Sequence, residues 1–125
     1  MRRVANGVLP TLAGIVFSIS ALAGDAPMAG SEIETALTDR TAIYEGGVIR
    51  QYFSPSGATP YWDGKRLTKG SWRVSGDKYC SVWPPATGWS CYDMARTDDG
   101  GVVWIGSGGD RYEARLQDGN RMPDQ

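Results

Sequence analysis

The chain predicts an all-β fold, a small antiparallel meander closing into a barrel or a two-layer sandwich, with one short helix ahead of it. From Thr41 onward, short runs rich in Tyr, Trp, Val and Ile alternate with glycine-containing turns at roughly ten-residue spacing, the pattern of strands joined by hairpins. Five Trp and six Tyr, all beyond residue 40, supply the large flat side chains with which a small β domain buries area. Two segments, Tyr79 to Trp83 and Val102 to Ile105, are apolar on both parities, as a strand must be at the centre of a sheet or where it crosses between faces. A strongly bent sheet that closes on itself accommodates these observations and leaves no exposed edge, so the barrel is favoured over the sandwich.

Taken in order, Arg2 and Arg3 precede an apolar run from Val8 to Ala23 that ends in Ala21-Leu22-Ala23. Charge, apolar core and small residues in that order make residues 1–23 a secretory signal peptide, with cleavage after Ala23. Pro10, Thr11, Ser18 and Ser20 interrupt the run, which falls short of the roughly 20 apolar residues of a membrane span. No cysteine adjoins the cleavage site to carry a lipid, so no membrane anchor is expected after cleavage. Residues 24–40 form a lead-in and short helix. Gly24 to Gly30, small and proline-containing, reads as mobile, and Ser31-Glu32-Ile33-Glu34 fits a capping box that opens a helix over Glu32 to Leu37.

The β domain is expected over 41–116, with strands at Thr41–Glu45, Ile49–Phe53, Thr59–Trp62, Gly70–Ser75, Tyr79–Trp83, Trp89–Arg96, Val102–Ile105 and Tyr112–Leu116. Gly46-Gly47, Ser56-Gly57, Asp63-Gly64, Gly76-Asp77, Asp99-Gly100 and Gly108-Gly109-Asp110 are the turns, because their residues accept the positive φ of tight hairpins. Trp72, Trp104, Tyr44 and Tyr112 are expected in the core. Residues 117–125 are polar and read as a frayed C-terminal tail.

Charge and size narrow the function classes. Loss of Arg2 and Arg3 with the signal leaves 11 of the 13 Lys and Arg against all 14 Asp and Glu, a net charge near −3, which is no nucleic-acid-binding balance. The 102 residues left of 125 after removing 23 suit one domain with one modest core. Both cysteines, Cys80 and Cys91, lie in the exported part, and an even count in an oxidising compartment predicts a disulfide. Closing so short a loop stabilises a domain by about 2.5–3 kcal/mol on the chain-entropy estimate.

Histidine is absent, which removes the usual general base, the common Ser and Cys triads and most zinc sites. No catalytic residue, metal site or cofactor is therefore assigned. Asp98-Asp99-Gly100 lacks the alternating oxygen ligands of a calcium loop and reads as a hairpin turn. Asp93 shares strand parity with Cys91 and Trp89 and is expected to point inward, paired with a cation such as Arg50 or Arg73. The segment Trp83-Pro84-Pro85-Ala86-Thr87-Gly88-Trp89 carries the candidate binding residues Trp83, Pro84, Pro85 and Trp89. Two Trp flank a proline-stiffened loop tied at its base by the cysteines, so rigid aromatics would meet a partner with little ordering cost. The competing arrangement has the two Trp facing each other and stacking on the prolines.

The residues from Gly70 to Trp83, including Gly70-Ser71-Trp72-Arg73-Val74, then Cys91-Tyr92 and Asp118-Gly119-Asn120, resemble a family of small uncharacterised proteobacterial secreted proteins. That outline also contains a Tyr-Phe-x-x-x-Gly hairpin, here Tyr52 to Gly57. The resemblance implies an all-β periplasmic domain and supplies no activity. Separately, Ser107-Gly108-Gly109-Asp110-Arg111-Tyr112 resembles the loop that periplasmic inhibitors of C-type lysozyme, small β-barrels, insert into the enzyme's cleft. Ser107 matches the contact serine of that loop, with Arg111 and Tyr112 following, while the family's subsequent lysine has no counterpart.

The expectation is a non-enzymatic binding or interaction domain, periplasmic or secreted, that meets an envelope protein or a glycan. The alternatives are a lysozyme-inhibitor-like protein and a carboxylate-based carbohydrate-active enzyme. Intact mass of the exported protein should correspond to a chain starting near Gly24 and carrying one disulfide. A retained signal segment, or two free thiols under non-reducing conditions, would contradict it.

Overall fold

The computed structural model describes residues 25–124, so the expected signal peptide lies outside the described residues. Along the chain come β1 (Ala26–Pro27), α1 (Gly30–Leu37), β2 (Arg40–Tyr44), β3 (Arg50–Phe53), β4 (Ala58–Trp62) and β5 (Leu67–Ser75). The remaining strands are β6 (Lys78–Val82), β7 (Ser90–Arg96), β8 (Val102–Ile105) and β9 (Arg111–Asp118). From β2 to β9 every strand pairs antiparallel with the next, and β9 returns to β2 with Tyr44 opposite Ala114, so eight strands close an up-and-down barrel. The barrel expectation holds, and all eight expected strands are present within a few residues of their expected ends. Glycines take positive φ in each of the six expected turns, for example +94° at Gly57 and +103° at Gly64.

Alternate residues of each strand turn inward and fill one end of the barrel. Phe53 is fully buried there, edge-on to Trp72 at 5.5 Å and to Tyr79 at 5.9 Å and stacked on Trp104 at 6.0 Å. Ile33, Ala36 and Leu37 give α1 one apolar face, which joins this cluster and stops that end of the barrel.

The helix starts two residues ahead of its expected position. Its N-cap is Ala29, which has no side-chain acceptor, and Glu32 Oε1 accepts from the Ala29 N–H at 2.9 Å. A tertiary contact sets this start. Asp77 Oδ1 accepts the Gly30 N–H at 2.8 Å, and any Cβ at Gly30 would stand 2.0 Å from the Gly76 carbonyl oxygen. The Ser31-based capping box is thereby displaced.

The mobile lead-in and frayed tail are both corrected. Asp25 pairs with Arg111 at 2.6 Å, β1 adds to β7 beyond the point where β6 begins, and Met28 is buried. At the other terminus Gln117 and Asp118 extend β9. Buried Thr41 then donates to the Gly119 carbonyl at 2.7 Å and accepts from the Arg121 N–H at 2.8 Å, while Arg50 donates to the Arg121 carbonyl at 2.7 Å. Small, proline-containing sequence in the first segment and polar sequence in the second gave neither a local reason to order, and hydrogen bonds to distant strands supply one.

Cys80 and Cys91 stand directly opposite across β6 and β7 and form the expected disulfide, with Cα atoms 4.0 Å apart. Such a bond belongs to an oxidising, non-cytoplasmic environment. Among the described residues no helix is long and apolar enough to cross a membrane.

Because Phe53 joins three other aromatic rings, Phe53→Ala should cost about 3–5 kcal/mol of stability. Urea unfolding measures it, and a loss below about 1 kcal/mol would place the ring outside the core.

Candidate functional site

The end of the barrel away from α1 is open, and it holds a cavity of about 470 Å³. Strand pleat puts one set of residues on its wall. Tyr44 comes from β2, Gln51 from β3, Tyr61 from β4, Tyr79 and Ser81 from β6, Tyr92 from β7, Trp104 from β8 and Tyr112 from β9. Trp83, just past β6, continues the Tyr79, Ser81 series, and Ile49 and Thr68 complete the wall. Seven of these side chains are aromatic and none is charged.

A buried amide organises the polar atoms. Gln51 Oε1 accepts from the Tyr44 hydroxyl at 2.9 Å, and Gln51 Nε2 donates to Thr59 Oγ1 and to the Tyr79 hydroxyl, each at 3.0 Å. Thr59 Oγ1 in turn donates to the Tyr52 carbonyl at 2.7 Å, and Trp83 Nε1 donates to Ser81 Oγ at 3.1 Å. The exception is Trp104, buried to 4% exposure, whose indole N–H has no acceptor among the described residues.

The proline-containing tip is divided by the structure. Trp83 turns inward, edge-on to Tyr61 at 5.9 Å, and lies flat over the backbone of Gly70, where any Cβ would come within 2.5 Å of its ring. Trp89 turns outward, 37% exposed, with the Arg73 guanidinium 4.0 Å above its ring. Each Trp therefore has its own partner, in place of the competing face-to-face arrangement. Pro84 and Pro85 are exposed between them.

Other candidates move as well. Asp93 does share parity with Cys91 and Trp89, but that parity faces out: its carboxylate is 64% exposed and pairs with Lys78 at 2.7 Å, not with Arg50 or Arg73. Tyr112 leaves the expected core, being 48% exposed, because its inward-facing position sits at the open mouth, edge-on to Tyr92 at 6.3 Å. Ser107 is exposed in the β8–β9 loop, and Arg111 is held by Asp25 at 2.6 Å and Glu113 at 3.6 Å. By strand alternation this loop and the Trp83 to Trp89 tip edge the same open end. A polar hollow of about 550 Å³ on the outside of β2 and β9 has charges of both signs, including Arg111, Glu113 and Arg115, and no convergent chemistry. No cluster of three metal-ligating side chains occurs among the described residues.

Sequence reasoning missed Gln51, Tyr61, Tyr79, Ser81, Tyr92 and Trp104 as parts of one site. A signal was present in the polar Gln51 and Ser81, which fall on the same parity as large aromatics in strands otherwise set for burial. Comparison with known proteins adds no neighbour, because no family model, curated protein or solved structure matches the chain.

Burial sets the electrostatics. It pushes the Tyr79 hydroxyl up to about 12 against the opposing hydrogen bonds of Ser81 and Gln51, and raises Tyr44 and Tyr61 in the same direction. The phenols of these three thus stay neutral through the physiological range. An unfolded chain ionises Tyr79 near pH 10, whereas the folded one keeps that proton, so the stabilisation is present below pH 10 and lost as pH rises toward 12. Unfolding free energy should fall by about 3 kcal/mol for this group over that window. Urea titrations at pH 9, 10 and 11 read the slope, and a flat profile would count against a buried Tyr79 hydroxyl.

Proposed function

We propose that the protein is a non-enzymatic, exported binding protein of the periplasm or cell exterior that holds a small molecule in the open end of its barrel. The observation that carries this reading is the wall itself, seven aromatic side chains and one fully bonded amide around about 470 Å³. That volume lies in the range of small-molecule sites, which are concave, largely apolar and furnished with a few fixed polar groups. An eight-stranded barrel is the size at which the interior is either filled or holds one small ligand.

The wall supplies neither carboxylates for glycoside chemistry nor a nucleophile beside a base, which favours binding over catalysis. The signal-like N-terminus and the disulfide support export. Outward residues of β5 and β9 such as Lys69, Arg73, Glu113 and Arg115 favour an aqueous setting, since a membrane barrel turns an apolar band outward. A small molecule suits the concave wall better than the envelope protein or glycan expected from the tip alone.

Uptake of the neutral fluorophore N-phenyl-1-naphthylamine tests the reading. Saturable enhancement is expected, and Trp83→Ala should weaken it about thirty-fold, the effect of losing an aromatic anchor of about 2 kcal/mol. Trp89→Ala, outside the wall, should leave affinity unchanged. Equal losses in both variants, or no saturable uptake by the native protein, would overturn the assignment.

A further inference from the structure

We infer that the occupant of the open end is a quaternary ammonium compound, its trimethylated head held against the rings of Tyr61, Trp83, Tyr92 and Tyr112. The inference rests on the cavity reading above and adds the chemical class of the ligand. It starts from a change of residue type along the barrel axis. The packed core uses Leu37, Met94 and Val102 beside Phe53, whereas the cavity wall has five Tyr, two Trp and a single aliphatic side chain, Ile49. A pocket for a neutral apolar molecule has no need to leave out leucine and valine. Aromatic rings differ from aliphatic surface in the negative face of their quadrupole, which attracts a cation.

The four rings nearest the mouth form two corners. Tyr61 meets Trp83 at 77° with centroids 5.9 Å apart, and Tyr92 meets Tyr112 at 81° with centroids 6.3 Å apart. The space inside a right-angled corner is bounded by a face of each ring. An occupant can reach all four, since Tyr61, Trp83 and Tyr92 are half-buried and Tyr112 is exposed. One face of Trp83 rests on Gly70, which leaves the other toward the cavity it lines.

The absence of charge in the wall then selects among ligands. A protonated amine would give up the water on its N–H groups with no carboxylate to replace it, and an ionised acid would find no cation. A quaternary nitrogen has no N–H to satisfy, so ring faces suffice. A sugar needs many directed polar partners, but the Gln51 amide is held by Tyr44, Thr59 and Tyr79, and Ser81 takes the Trp83 N–H. At about 470 Å³ the cavity leaves room beside the head for a substituent.

Three probes test the class. Choline and 3,3-dimethyl-1-butanol share a shape and differ by a cationic nitrogen in place of a carbon, and ethanolamine carries the protonated alternative. Calorimetric titration gives each affinity, and an upfield shift of the N-methyl proton signal reports contact with ring faces. Choline should bind about tenfold more tightly than either of the others. Tyr112→Leu keeps apolar bulk at the exposed mouth and removes a ring, so it should weaken choline about three- to fivefold and leave the alcohol unchanged. Tyr112→Phe, which retains a ring face, should bind choline as the native protein does. Cosedimentation with phosphatidylcholine vesicles would assign the head to a lipid, and choline binding without it to a soluble compound. Equal affinities of choline and the alcohol, tighter binding of ethanolamine, or an unmoved N-methyl signal would overturn the class. Uptake of N-phenyl-1-naphthylamine in that event leaves the cavity reading standing, and silence of that fluorophore as well removes both.

Discussion

Strands β2 and β9, the first and last of the barrel, pair over five residues, from Arg40 opposite Asp118 to Tyr44 opposite Ala114. This pairing makes an interior out of a sheet. Without it the inward residues of β2 and β9 would lie at opposite edges, and both edges would carry unpaired donors and acceptors. With it, the alternate side chains of eight strands converge on one axis. The two ends of that axis are treated differently. Phe53, Trp72 and the apolar face of α1 pack one end solid, whereas at the other end no helix intervenes among the described residues and the rings of Tyr61, Tyr92 and Tyr112 stand around open space.

Core and site share side chains at the boundary between those halves. Tyr79 packs on Phe53 and Trp72 below while its hydroxyl accepts from Gln51 above, and Trp104 stacks on Phe53 while forming part of the cavity wall. Substitution at either position therefore changes stability and site together. Trp83 is more separable. It rests on Gly70 and Tyr61 near the rim, so its loss opens the wall without removing a member of the central cluster.

Local patterns made much of the fold legible. Glycine spacing located the turns, β-rich runs located the strands, and an even cysteine count in an export context named the bridge. Alternation gave the phase of each strand but could not say which face of the phase is wet. Along β7 the set Trp89, Cys91, Asp93 looked as suitable for burial as the set Tyr92, Met94, and the structure turns the second set inward. The same ambiguity hid the site. A tip bounded by Trp83 and Trp89 reads as one feature in sequence, yet an odd number of residues lies between a strand that has ended and one about to begin, and the two rings leave on different sides. Gly70 gave no hint that it was a platform, because the ring resting on it belongs to the neighbouring strand. The termini were misread for a related reason: what orders Asp25, Gly119 and Arg121 is hydrogen bonding to residues far away in sequence.

The disulfide links these levels. Its sulfurs join β6 and β7 on the face opposite the cavity, since Cys80 alternates with Tyr79 and Ser81, and Cys91 with Tyr92. Strand pairing has a side-chain period of two, so a slip of one residue would send Tyr79 and Ser81 outward and bring Cys80 and Val82 in. Fixing Cys80 against Cys91 fixes Tyr79 against Tyr92, two rings of the wall with centroids 6.2 Å apart. It also fixes the base of the loop that delivers Trp83 onto Gly70. A covalent bond on the outward face of the two strands, with Cys80 buried and Cys91 exposed, thus specifies the register of the aromatic wall inside, a role distinct from the entropy it removes from the unfolded chain. In a barrel this small, where one strand pair contributes four of the lining side chains, Tyr79, Ser81, Trp83 and Tyr92, that register decides whether a cavity exists at all.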